Sequence, residues 1–159
     1  NEEKRMIGIS SCLGGICCRY DGKSQEQEAL KQLVTNGKAI MICPEVLGEL
    51  PIPRPPAEII GGDGFDVWAN TAYVYTDNGE DVTETFKAGA QRAYQKLKAL
   101  QITTLILKEK SPSCGSQLIY DGQFSGIKKA GVGVATAYFI QQGMTVYSEE
   151  TWQLADISF

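Results

Sequence analysis

Thr103–Leu107 (TTLIL) is an apolar, β-branched run that stops at Lys108-Glu-Lys110 and is followed by Ser111-Pro-Ser-Cys-Gly115. Such a run, with no polar alternation and a turn behind it, reads as a strand buried on both faces, the kind found in parallel sheets. The same pattern occurs in Arg5–Ser10 (RMIGIS) and in Lys38–Ile42 (KAIMI). Each of the three runs leads into a cysteine: Cys12 after the first, Cys43 after the second, Cys114 after the third.

The segments between these runs have helical spacing. Ser24–Asn36 places Ala29, Leu30, Leu33 and Val34 on one face, with Ser24 as a cap and Gly37 as the stop. A long helix is expected from Asp81 or Thr83 to about Leu100, with Phe86, Ala90, Ala93, Tyr94 and Leu97 inward. Ala130–Gln142 reads as a helix closed by Gly143, and Glu149–Ala155 as a turn or two. Ala72–Thr76 and Thr145–Tyr147 read as further strands. The segment 44–64 is rich in proline and glycine and is expected to be irregular loop, as is Ile119–Ser125, with a small hairpin as the alternative. Strands alternating with helices define an α/β sandwich with a mainly parallel, Rossmann-like sheet, and 159 residues make one ordinary domain, 1–159. Sheets of this kind put their sites at the carboxyl ends of the strands, which is where the cysteines fall.

Composition narrows the chemistry. The chain has no histidine and carries a net charge of −4. Without histidine there is no imidazole base and no Ser/His or Cys/His pair. The acidic balance argues against DNA as a partner. No window approaches the ~20 apolar residues of a membrane span, and the polar start, Asn1–Arg5, resembles no leader peptide, so the expected compartment is the cytoplasm.

The cysteines number five, an odd count with no C-x-x-C pair, which fits neither a disulfide framework nor a zinc ribbon. Three cysteines at equivalent strand ends suggest an iron–sulfur cluster with one iron open to substrate. Cysteine is also a common core residue, so three inert thiols are the plain alternative. Cys18 is a further candidate near the site; Cys17 reads as incidental. Glu45, in Cys-Pro-Glu, is a carboxylate able to move protons, and Ser111 a hydroxyl able to orient water; each alone is more often a loop or cap residue. Arg54 and Glu58 either bind substrate or fasten the proline-rich loop, and the second role is favoured, as it is for Arg19, Tyr20 and Asp21. Trp68 reads as core rather than a stacking platform. Gly131-Val-Gly133 is too short for a dinucleotide fingerprint and reads as a close helix contact.

Ile9-Ser-Ser-Cys-Leu-Gly-Gly-Ile-Cys-Cys-Arg-Tyr-Asp-Gly22, Cys43-Pro-Glu-Val-Leu-Gly48, Arg54-Pro-Pro-Ala-Glu58, Gly79-Glu-Asp-Val-Thr83, Lys108-Glu-Lys-Ser-Pro-Ser-Cys-Gly115 and Ile119-Tyr-Asp-Gly122 together resemble the thiouracil desulfurase family. The likeness runs through nearly the whole chain in order. It implies a 4Fe–4S cluster on Cys12, Cys43 and Cys114, with Glu45 handling the proton of an attacking water and Ser111 assisting. The implied reaction is a non-redox, hydrolytic desulfurization of 2- or 4-thiouracil, or a related thiolated nucleoside, giving uracil and sulfide. Thiolated tRNA is a weaker substrate expectation. The cluster is expected to be oxygen-sensitive, and so absent or replaced after aerobic purification. Three departures stand out: Gly14 where the family has leucine, Cys17, and Asn70 where glycine is frequent. The competing function is a non-catalytic metal-binding or redox-sensing cysteine module.

Overall fold

The computed structural model describes residues 6–14 and 27–154. β1 (Ile7–Ser10) runs into a 3-10 turn, Ser11–Gly14, and α1 (Glu28–Thr35) leads to β2 (Ala39–Ile42). A short α2 (Pro44–Leu47) follows, then β3 (Ala57–Ile60), α3 (Gly64–Trp68) and β4 (Tyr73–Thr76). The long α4 (Thr83–Ala99) leads to β5 (Thr104–Leu107). The chain closes with β6 (Leu118–Tyr120), β7 (Lys128–Ala130), α5 (Val134–Gln141), β8 (Thr145–Ser148) and a 3-10 turn, Trp152–Leu154.

The main sheet has the order β2-β1-β5-β8, and every pairing in it is parallel. Its two faces follow the two-residue period of the strands. Ile7, Ile9 and Ile106 pack with Leu13 and Leu30 on the α1 side, whereas Ile42, Leu105 and Leu107 pack with Ala90, Ala93 and Leu97 of α4 and Phe139 of α5 on the other. Gly8 lies on the α4 side, where an added Cβ would meet Leu105 at 2.7 Å and Leu97 at 3.0 Å, so its bareness lets α4 sit close to the sheet. From β1 the chain steps outward to β2, and the later strands are added on β1's other edge. The strand order therefore reverses between β1 and β5, and this is the switch point at which open α/β sheets bind their ligands.

Two small antiparallel sheets, β3-β4 and β6-β7, lie outside the main one. The expectation of irregular loop over 44–64 is thus corrected. Pro44 fills the first turn of α2, where its missing N–H costs nothing, and Cys43 is the N-cap. β3 follows directly on the prolines because its partner β4, rather than the main sheet, supplies its hydrogen bonds. α3 was also hidden in that segment and its neighbourhood. Asp63 accepts from Phe65 and Asp66 N–H, while Asp66 accepts from Asp63 N–H, a reciprocal capping box.

Other boundaries moved. α5 begins at Val134, four residues later than expected, because Lys128–Ala130 pairs with β6. That pairing also makes Ile119–Ser125 part of a hairpin. The expected start of α1 and the Ser24 cap lie outside the described residues. Asn70 takes a left-handed φ of 64°, a conformation glycine or asparagine supplies readily, so this departure preserves the turn. Trp68 is fastened structurally: its ring lies 4.7 Å from that of Tyr138 and its indole N–H donates to Val134 O. No helix is long and apolar enough to cross a membrane among the described residues.

Candidate active site

Cys12 sits on the 3-10 turn after β1, and Cys43 directly after β2. Cys114 sits past β5 in a turn closed by a hydrogen bond from Gly115 N–H to Ser111 O. None of the three is in a disulfide among the described residues; Cys12 and Cys114 are buried and Cys43 is half-buried. They line one cavity of about 460 Å³ at the carboxyl ends of β1, β2 and β5, and Glu45 and Ser111 line it with them.

The Cys114 turn is held from two sides. Ser111 Oγ accepts the N–H groups of Ser113 and Cys114, both at 3.1 Å. The first N–H groups of α5 donate into the same turn: Val134 to Pro112 O, and Ala135 and Thr136 to Ser113 O. The helix start is thereby satisfied without a side-chain cap. This docking needs Gly133, since an added Cβ there would lie 2.4 Å from the Ser113 carbonyl carbon and 2.8 Å from Cys114 N. The reading of Gly131-Val-Gly133 as a close contact is thus met, although what Gly133 approaches is the cysteine turn.

Glu109 is 1% exposed and was passed over in the sequence. Its Oε1 accepts N–H groups from Ser116, Gln117 and Leu118 at 2.8–3.1 Å, and Oε2 accepts the Ser116 hydroxyl. Burial alone would raise its pKa, but the bonds from Gln117, Leu118 and Ser116 together hold it below the usual carboxylate value. Lys108 pairs with Glu149 at 2.9 Å, and Glu149 also accepts Glu109 N–H, so the end of β5 is tied to the end of β8. A lone glutamate between two lysines gave no sign of this; the run Ser116-Gln-Leu118 seven residues on is the donor set.

Glu45 Oε1 lies 3.4 Å from both Nε and Nη2 of Arg54, whose Nη1 donates to Pro51 O. Arg54 itself is buried. Glu58 is separate: it accepts Gly122 and Phe124 N–H and so carries a loop that lines the cavity. Each of the two residues holds a loop, through different partners. Gly122 comes close to β3 here, where a Cβ would lie 2.7 Å from Ile59 O, and its φ is +92°. Tyr120 and Phe124 supply aromatic surface in the cavity, a feature with no recognisable spacing in the sequence. Cys17, Cys18, Arg19, Tyr20 and Asp21 lie outside the described residues.

The donor set fits a cluster. The Cys114 thiol is pushed strongly upward in pKa, first by burial and then by the negative charge of Cys43 and Glu45. Three thiols lining one cavity would, once ionised, call for a cation to balance them. Among the described residues no three Cys, Asp or Glu side chains close around a point for a single metal ion. A cavity shared by three cysteines suits a multi-iron cluster, in which each thiolate binds its own iron. Ser113 adds a buried hydroxyl with no hydrogen-bond partner beside this sulfur, a donor that a cluster would satisfy.

A doubly wound α/β protein with three thiols and a carboxylate at its switch point defines a class: a candidate cluster-dependent enzyme. The chain belongs to the 2-thiouracil desulfurase family, whose model matches residues 7–151, and it is an enzyme of that type. It is 51% identical over 152 residues to the uncharacterized protein YbbK of Bacillus subtilis (strain 168), covering 96% of this chain and 99% of that one. It is also similar to the solved structure of TudS, a 4Fe-4S-dependent thiouracil desulfidase, with a TM-score of 0.84, 42% identity and 95% of each chain covered.

Proposed function

We propose that this enzyme removes sulfur from a thiolated uracil, as the 2- or 4-thio free base or a related nucleoside, and releases uracil and sulfide. The observation that carries the reading is the shared cavity of Cys12, Cys43, Cys114, Glu45 and Ser111. Cys12, Cys43 and Cys114 would hold a 4Fe–4S cluster and leave one iron without a protein ligand. When bound, the cluster supplies a thiophilic Lewis acid for the thiocarbonyl sulfur.

The chain's own residues then do the proton work. Water adds its oxygen to the thiocarbonyl carbon, the carbon–sulfur bond breaks, and both protons of the water are handed on, so no electrons are exchanged overall. Glu45, whose Oε1 meets Arg54, accepts the first proton. The hydroxyl of Ser111 has its oxygen engaged by two N–H groups, which leaves its one proton to donate toward substrate or water. Tyr120 and Phe124 offer a flat apolar wall for the ring.

The test is release of uracil from 2- and 4-thiouracil by anaerobically reconstituted protein. Glu45→Gln should load its cluster and bind substrate while turnover falls by at least ~10²-fold, the usual cost of losing a general base. Wild-type turnover in that variant would make Glu45 structural. A loaded wild type that desulfurates neither base nor nucleoside would leave the sensing module as the better account.

A further inference from the structure

We propose, on the reading that the cavity receives a thiolated uracil, that Glu58 recognises the base: its Oε2 accepts the N3–H of the ring. Glu58 lies on β3, lines the cavity and is only 9% exposed. One of its oxygens is already engaged: Oε1 accepts Gly122 N–H at 2.9 Å and Phe124 N–H at 3.2 Å. Among the described residues nothing donates to Oε2. Nor is Oε2 sealed from solvent, since the fully buried oxygens without a partner are those of Ser113 and Thr136. A carboxylate buried to this degree needs donors for both of its oxygens. The space this residue lines is the cavity, so a ligand there supplies the missing donor.

The chemistry of the base selects N3–H as that donor. In uracil N3–H stands between C2 and C4, so both the 2-thio and the 4-thio forms carry it, and it survives attachment of a sugar at N1. Cytosine has a lone pair at N3 instead, which a carboxylate oxygen repels. A site built around a donor on its substrate rejects analogues that lack it, because the buried acceptor is then left unpaired. The aromatic surface depends on the same residue. Phe124 has a φ of 55°, a region that bulky side chains seldom occupy, and its N–H is one of the two that Glu58 holds. Glu58 thus fixes the backbone that carries Phe124 and reads the edge of the ring, leaving the proton route to Glu45 and Ser111.

Equilibrium binding to reconstituted protein, followed by calorimetry, reads the base edge without turnover. Wild-type protein should bind uracil roughly 10–10²-fold more tightly than 3-methyluracil or cytosine, the range for a hydrogen bond to a charged group. Glu58→Gln is the informative variant. Its amide oxygen still accepts the Gly122 and Phe124 N–H groups, while an NH2 replaces Oε2 and turns the acceptor into a donor. Uracil binding should fall by a similar factor and cytosine binding should rise, so that the preference shrinks at least ~10-fold. In turnover, KM for 2-thiouracil should rise while kcat changes much less. A Glu58→Gln protein that keeps the wild-type ratio of uracil to cytosine overturns the proposal, because a residue that only holds its loop would weaken both bases alike. Where that variant does not fold, the wild type decides: failure to separate uracil from 3-methyluracil overturns the proposal. A protein that sorts the bases as expected, yet leaves 2- and 4-thiouracil intact, keeps the edge contact and removes only the desulfurization reading.

Discussion

Ser111 illustrates how one side chain carries two duties. Its oxygen orders the Cys114 turn, and the residue also lines the cavity. Ser111→Ala should therefore do more than slow the reaction: it should destabilise the protein by about 1 kcal/mol, as loss of an N-cap does, and weaken cluster retention. Thermal unfolding and iron release to a chelator measure the two effects separately. Glu109 makes the complementary case. Its carboxyl pKa is lowered from 4.5 in the fold, so its contribution is complete above that value and is lost as pH falls through the lower folded value. Glu109→Gln should cost about 2 kcal/mol at neutral pH, and its stability should approach that of the wild type in acid. Urea titrations at neutral pH and near pH 3 check this; a gap that stays constant with pH would mean the carboxylate charge is irrelevant.

At the scale of elements, the α5–turn contact is the exacting one. Gly133→Ala would drive a methyl into the Ser113–Cys114 backbone. The expected result is a loss of about 1–3 kcal/mol, the usual overpacking cost, with cluster loading falling before secondary structure does; circular dichroism and iron content report these. Element legibility followed the same physics. β1, β2 and β5 could be read because strands buried on both faces need unbroken apolar runs. β3 could not: Glu58 interrupts its apolar pattern, and the residue is there to hold the loop at Gly122. α3 has a readable sign in Asp63 and Asp66, but the proline and glycine around it carry the stronger signal of irregular loop. α5 is apolar on nearly every side, so its pattern gave no edge, and only the pairing of β7 with β6 fixes where it starts.

Across the whole molecule, the cavity borders the core at Cys12, Ile42 and Cys114, while most of the core lies away from it. Leu97, Leu105, Ile106 and Phe139 are fully buried within the sheet and helix layers, whereas the cysteines stand at the strand ends. Chelation of iron should therefore leave the far-ultraviolet dichroism nearly unchanged and lower the melting temperature modestly. Complete unfolding on iron removal would show that the cluster, rather than the core, holds the fold. The order of the sheet has a consequence for biosynthesis. Cys12 and Cys43 are made early, but the strand that positions Cys114 is inserted beside β1 only after α4 has been synthesised, and α5 must then brace its turn. On the proposed ligand set of Cys12, Cys43 and Cys114, a growing chain lacks the complete set until most of its length is available, so iron and sulfide would have to be delivered to a finished fold. Truncation after Leu107 should accordingly yield a polypeptide that acquires no stable cluster, whatever the iron supply.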